Sequence, residues 1–111
     1  MNSLGVIGGL GPMATAYLLE LITDMTDART DQEHLDAIIF NRPSVPDRTA
    51  YILDHTKPSP VPPMIDIAQK LEALGVCALA TPCVTAHSFH DELQSSVHTV
   101  SYTHLRAHET S

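Results

Sequence analysis

The sequence predicts an α/β domain: a parallel sheet with flanking helices. Three observations lead there. Short apolar runs that end in turn residues alternate with stretches in which apolar residues recur every three or four positions, the signature of strands alternating with amphipathic helices. The run VCALAT (76–81) shows no polar alternation, as expected of a strand covered on both faces of a parallel sheet. Strand–helix–strand order in turn implies right-handed crossovers between parallel strands.

SLGVIG (3–8) reads as the first buried strand, stopped by the glycines that follow. After Gly-Gly-Leu-Gly-Pro, the recurrence of Ala14, Tyr17/Leu18, Leu21/Ile22 and Met25 predicts a helix with those residues on its core face. Residues 29–36 are polar, and AIIF (37–40) reads as the second strand. NRPSVP (41–46) is irregular, because Pro43 and Pro46 lack donors and force their predecessors into extended geometry. Asp47 is placed to cap a short helix running to Leu53. Beyond the Pro-rich loop 57–63, Pro62 or Pro63 suits a helix's first turn, and Met64, Ile67/Ala68, Leu71 and Leu74 give the apolar stripe. Gly75 ends that helix, VCALAT is the third strand, and TPCVTAH (81–87) leads into a last helix with Ala86, Phe89 and Leu93 on one side. SYTHLRAHETS (101–111) has no helical or strand period and is similar to the translated adapter strings that end fragmentary reading frames. The expected division is a domain over residues 1–98 and a non-native or disordered tail over 99–111. His104 and His108, at i and i+4, form a metal pair only on paper, since no third ligand accompanies them.

With 111 residues, 43% of them hydrophobic and 17% charged, the chain suits one small globular domain. Six Lys+Arg against 13 Asp+Glu give a net charge of −7, which argues against a nucleic-acid partner. No apolar run approaches the roughly 18 residues of a membrane span, so no membrane partner is expected. The N-terminus has no signal-peptide pattern, and two cysteines make no disulfide framework, so a reducing cytoplasm is the expected location.

Three groups of residues carry chemistry. Gly9-x-Gly11-x-x-Ala14 follows a strand and opens a helix, which formally matches a dinucleotide fingerprint. The acidic residue that motif needs is misplaced, since Asp36 enters the second strand rather than leaving it, and Pro12 removes one N–H. More generally, the loop offers backbone N–H groups to an anion, or is simply a tight turn. Cys83 lies where the third strand gives way to a helix, with Thr85 as that helix's cap. The positive end of the helix dipole favours a thiolate there, making Cys83 a credible base or nucleophile, unless it is a structural cysteine. Cys77, inside the strand, is expected to be buried and structural. His87 follows Cys83 by four residues without assured contact, and no cysteine-phosphatase arginine is present, Phe89 standing in its place. Arg48, heading the short helix after strand two, can clamp a carboxylate bidentately or merely pair with Asp47 or Asp91. All three groups follow strands, and open parallel sheets bind ligands at that edge. An anion cradle, a cation and a thiol together suggest a small carboxylic acid with chemistry at an adjacent carbon.

LGVIGGLGPMATA (4–16), DQEHLDAIIFNRPSVPDRTAYIL (31–53) and LGVCALATPCVTAHSFHDEL (74–93) resemble the aspartate/glutamate racemase family over about residues 3–97. The resemblance implies an amino-acid racemase that uses no cofactor and no metal. It also implies two similar α/β halves with one catalytic cysteine from each at the cleft between them. The family's Pro-Cys-Asn-Thr-Ala-His motif places its catalytic cysteine at Cys83 and its threonine at Thr85, while Val84 stands where the family has a substrate-holding asparagine. Its Asp-Arg falls on Asp47-Arg48, which assigns Arg48 to the distal carboxylate, and its glycine loop falls on Gly8, Gly9, Gly11 and Pro12, with Met13 next. The implied substrate-binding set is therefore Arg48, Thr85, Val84, Gly11 and Met13, and the substrate a small dicarboxylic amino acid, aspartate or glutamate. The family's second cysteine, in a Gly-Cys-Thr motif, has no counterpart here. Residues 1–98 then form an N-terminal half, inactive alone unless a homodimer supplies a second Cys83. Outside the resemblance, a non-catalytic carboxylate-binding domain and a cysteine-nucleophile hydrolase remain open.

Overall fold

A computed structural model describes residues 3–83 and 85–102, apart from the side chains of Ala86 and His87. In chain order the elements are β1 (Ser3–Gly8), α1 (Pro12–Met25), β2 (Asp36–Asn41), α2 (Arg48–Leu53), α3 (Val61–Ala73), β3 (Ala78–Ala80), α4 (His90–Ser95) and β4 (Val100–Tyr102), with 3₁₀ turns at Asp31–Glu33 and Thr85–Phe89. The strands form one sheet in the order β2-β1-β3-β4, with every neighbouring pair parallel. The α/β expectation is met, and the carboxyl ends of β1, β2 and β3 share one edge.

Alternation along the strands sorts the core. Ile7 and Leu79 point to the side occupied by α3 and α4, where Met64, Ile67, Ala68, Leu71, Phe89 and Leu93 close a buried cluster. On the other side, a Cβ added to Gly8 would meet Thr15 of α1 and Ile39 of β2, which places α1 over that face. Cover there is partial. Of α1's expected stripe Leu18 is buried, whereas Tyr17 and Met25 are 59% and 64% exposed, and Val100 and Tyr102 on the same face are also exposed. The helical period marks a stripe correctly, but how much of it is covered depends on what lies opposite.

Local chemistry sets the element ends. The Asp47 carboxylate accepts from the amides of Thr49 and Ala50, capping α2 as expected. Ser59 Oγ accepts from the Val61 amide at 3.2 Å and α3 starts there, with prolines in its first turn. Gly75 takes φ +90° just past α3, a conformation that favours glycine. Leu74, expected in the α3 stripe, caps the helix and is 56% exposed.

One strand expectation needs correction. β3 is paired only over Ala78–Ala80, shorter than VCALAT, and Cys77 is exposed rather than buried. Its backbone N–H donates to Ser3 O at 2.8 Å, so the chain enters the sheet at Cys77 without taking the side chain into the core. At the other end, the tail expected from residue 99 begins with a paired segment, β4. The β4 approach is latched by α3. Glu72 Oε2 accepts from the amides of His98 and Thr99 and from the Thr99 hydroxyl, at 2.6, 2.8 and 2.9 Å. The Thr99 amide and hydroxyl, with the His98 amide, hold the Glu72 carboxyl below the usual carboxylate range. His104 and His108 lie outside the described residues.

Candidate functional site

The β1–α1 loop begins the site. Gly9 adopts φ +92°, and a Cβ on it would lie 2.5–2.6 Å from the backbone of Arg42 and Pro43, so only glycine lets the first and second loops pack this closely. Arg42 N donates to Gly8 O at 3.0 Å, tying the two loops together. The Gly9 amide is not free for an anion, because it donates to Thr15 Oγ1 at 2.9 Å. Gly11 precedes α1 as its cap position without a side-chain cap bond, and Met13 projects into solvent, 81% exposed. Asp36 opens β2 at the opposite edge of the sheet, which removes the acidic residue a dinucleotide reading would need.

Arg48 is half-buried at the start of α2, and its guanidinium turns back on its own loop. Nη1 donates to Val45 O at 3.4 Å and Pro46 O at 3.3 Å, while Nε is buried without a partner among the described residues. The expected pairing with Asp47 or Asp91 is not formed among the described ion pairs.

Cys83 is half-buried after β3 and packs against the core cluster that includes Val45 and Phe89. Its amide donates to Thr81 O at 2.8 Å, a tight turn that lifts the side chain out of the strand. Cys83 Sγ lies 3.1 Å from Thr85 Oγ1, and either atom is able to donate. Thr85 was expected to cap an α-helix and does not. It opens the 3₁₀ turn, and the six-residue α4 begins only at His90, so Cys83 has a specific hydroxyl contact rather than an α-helix N-terminus beside it. Tyr51 of α2 packs on Phe89 of that turn, ring centroids 6.1 Å apart, which draws the Arg48 helix and the Cys83 turn together. Val84 and the side chain of His87 lie outside the described residues. No group of three or more metal-ligating side chains occurs among the described residues.

A thiol backed by a hydroxyl, an arginine and a glycine loop thus meet at one sheet edge. The protein-family model for Asp/Glu/hydantoin racemases matches residues 7–105. The chain belongs to this family. It is 30% identical over 98 residues to the broad specificity amino-acid racemase RacX of Bacillus subtilis (strain 168), covering 85% of this chain and 42% of that protein. Among solved structures it is similar to the aspartate racemase of Picrophilus torridus, with TM-score 0.80 and 33% identity over 94% of this chain and 43% of that one. An aspartate racemase homologue from Pyrococcus horikoshii OT3 shares the fold at TM-score 0.72 and 20% identity, covering 91% and 44% of the two chains. The chain therefore spans less than half the length of these relatives. The racemase-family fold here is the parallel four-stranded sheet with its flanking helices.

Thr15, which no sequence motif of this racemase-family domain singles out, holds the glycine loop. It is 6% exposed, and its hydroxyl faces back across the glycine loop. The available signal was a threonine one helical turn after Gly11, where a side-chain oxygen reaches the preceding loop.

Proposed function

We propose that the chain is the N-terminal half of an amino-acid racemase acting on a small dicarboxylic amino acid, with Cys83 serving one face of the α-carbon. The observation that carries this reading is the 3.1 Å contact between Cys83 Sγ and Thr85 Oγ1 at the carboxyl edge of the sheet. Racemisation requires a group that takes a proton in one direction and returns it in the other. The hydroxyl accommodates both states: it donates to a thiolate and accepts from a thiol.

The thiolate removes the α-proton, so the C–H bond breaks as S–H forms, and the electron pair moves into the substrate carboxylate. Donors at that carboxylate then lower the barrier. Thr85 is assigned to the α-carboxylate or amine, with Val84 beside it. Arg48 is assigned to the distal carboxylate, with Gly11 and Met13 bordering the site. A thiol from a second half, or from a second copy in a homodimer, serves the opposite face. The proton transfer calls on no cofactor.

Incubation with L-aspartate in D₂O, followed by NMR, tests the assignment. The expected result is α-proton exchange with retained configuration, lost on Cys83→Ala. Exchange that persists in Cys83→Ala, or an acyl adduct on Cys83 in the mass spectrum, contradicts it.

A further inference from the structure

We propose that Thr15 is a positioning residue that sets the Arg48 guanidinium through the two loops between them. The inference rests on the reading of Arg48 as the carboxylate clamp. The relay itself is a sequence of contacts. Thr15 Oγ1 accepts from the Gly9 amide at 2.9 Å and donates to Gly11 O at 3.4 Å, so its hydrogen and one of its two lone pairs are committed to the glycine loop. Its methyl lies where a Cβ on Gly8 would come within 2.8 Å, which seats α1 flush on the end of β1. Gly9, held in this way, lies against the backbone of Arg42 and Pro43 with no room for a side chain between them.

The second loop carries the constraint onward. Arg42 N donates to Gly8 O at 3.0 Å, and Val45 N donates to Arg42 O at 3.3 Å, closing a turn whose Val45 side chain is buried in the core. Val45 O and Pro46 O then receive Arg48 Nη1. Every step from Thr15 to the guanidinium is a hydrogen bond or a backbone contact. The glycine loop therefore serves as a spacer that fixes, through the neighbouring loop, the cation at the start of α2, and its Gly9 amide is not a ligand donor.

Amide exchange of the ¹⁵N-labelled 111-residue chain, with the Arg48 Nε–Hε resonance as reporter, tests the relay. Thr15→Val keeps the shape and removes the hydroxyl. The expected result is about tenfold faster exchange at Gly9, Arg42 and Val45 and a displaced Arg48 Hε signal, with Ile67 and Leu71 unchanged. Thr15→Ser should restore the wild-type values. Faster exchange confined to Gly9, or an unmoved Arg48 signal, overturns the relay. Should Thr15→Val fail to fold, Thr15→Ser decides: a wild-type profile supports the hydroxyl as the holding group, and a displaced Arg48 signal refutes it. No ligand enters this measurement. A wild-type chain whose Arg48 signal ignores added L-aspartate would instead count against the clamp reading and leave the relay standing.

Discussion

A hydrogen bond between a thiol and a hydroxyl is worth about 0.5–1.5 kcal/mol net, enough to change the reactivity of Cys83 by a factor of about two to ten. Competition between the two cysteines is a poor probe of it, because Cys77 is exposed and Cys83 half-buried, so access alone favours Cys77. In a Cys77→Ser chain, iodoacetamide should alkylate Cys83 several-fold more slowly once Thr85→Val removes the hydroxyl. An unchanged rate would show that Thr85 does not act on the thiol. Cys83, Thr85 and Arg48 stand out as candidates in the sequence because each follows a strand and leads toward the next helix, where turn residues mark the position. Thr15 was not, because its role depends on a contact with Gly9 made across the turn. Cys77 differs from expectation because the paired strand begins at Ala78, two residues later than the apolar run suggests.

The helices and strands were legible to different degrees for a related reason. The cap at Asp47, the stop at Gly75 and the buried run of β1 are local signals, and each is met. β4 depends instead on side chains of α3 and α4. Gln94 Nε2 donates to Thr99 O and its Oε1 accepts from Ser101 N, both at 2.9 Å, while His90 Nε2 donates to Ser101 O at 2.8 Å. With Glu72 on the Thr99 amide, α3 and α4 occupy the outer backbone groups of an edge strand that would otherwise be open to pairing. The folded chain lowers the Glu72 pKa, so this carboxylate contributes stability above the ordinary Glu value, about 4.3, that is lost as pH falls through the lower folded value. Amide protection at His98 and Thr99 should therefore fall with acidification below that range, while Leu71 stays protected. Glu72→Gln should lower it at neutral pH and remove the acid dependence. Protection at His98 and Thr99 that ignores both changes would dismiss the latch.

The assembled domain has one face sealed by α3 and α4 and the other only partly covered by α1, with Ile39, Val100 and Tyr102 left exposed. It spans 42% of its Bacillus relative and 43% of the Picrophilus structure. Its carboxyl edge gathers Cys83, Thr85 and Arg48, but no second thiol stands across from Cys83 among the described residues, since Cys77 lies at the opposite end of β3. A half-open edge also leaves a bound carboxylate in water, where donor interactions are weaker than in a closed cleft. Polarimetry on L-aspartate, with the 111-residue chain and with the same chain joined to a family second half, tests the assignment of Cys83 most directly. The account predicts no turnover from the short chain and turnover from the joined one, falling by about 10²–10⁴-fold on Cys83→Ala. Turnover by the short chain that is lost on Cys83→Ala and rises with protein concentration would point to the homodimer. Turnover by either chain that survives Cys83→Ala would contradict the account.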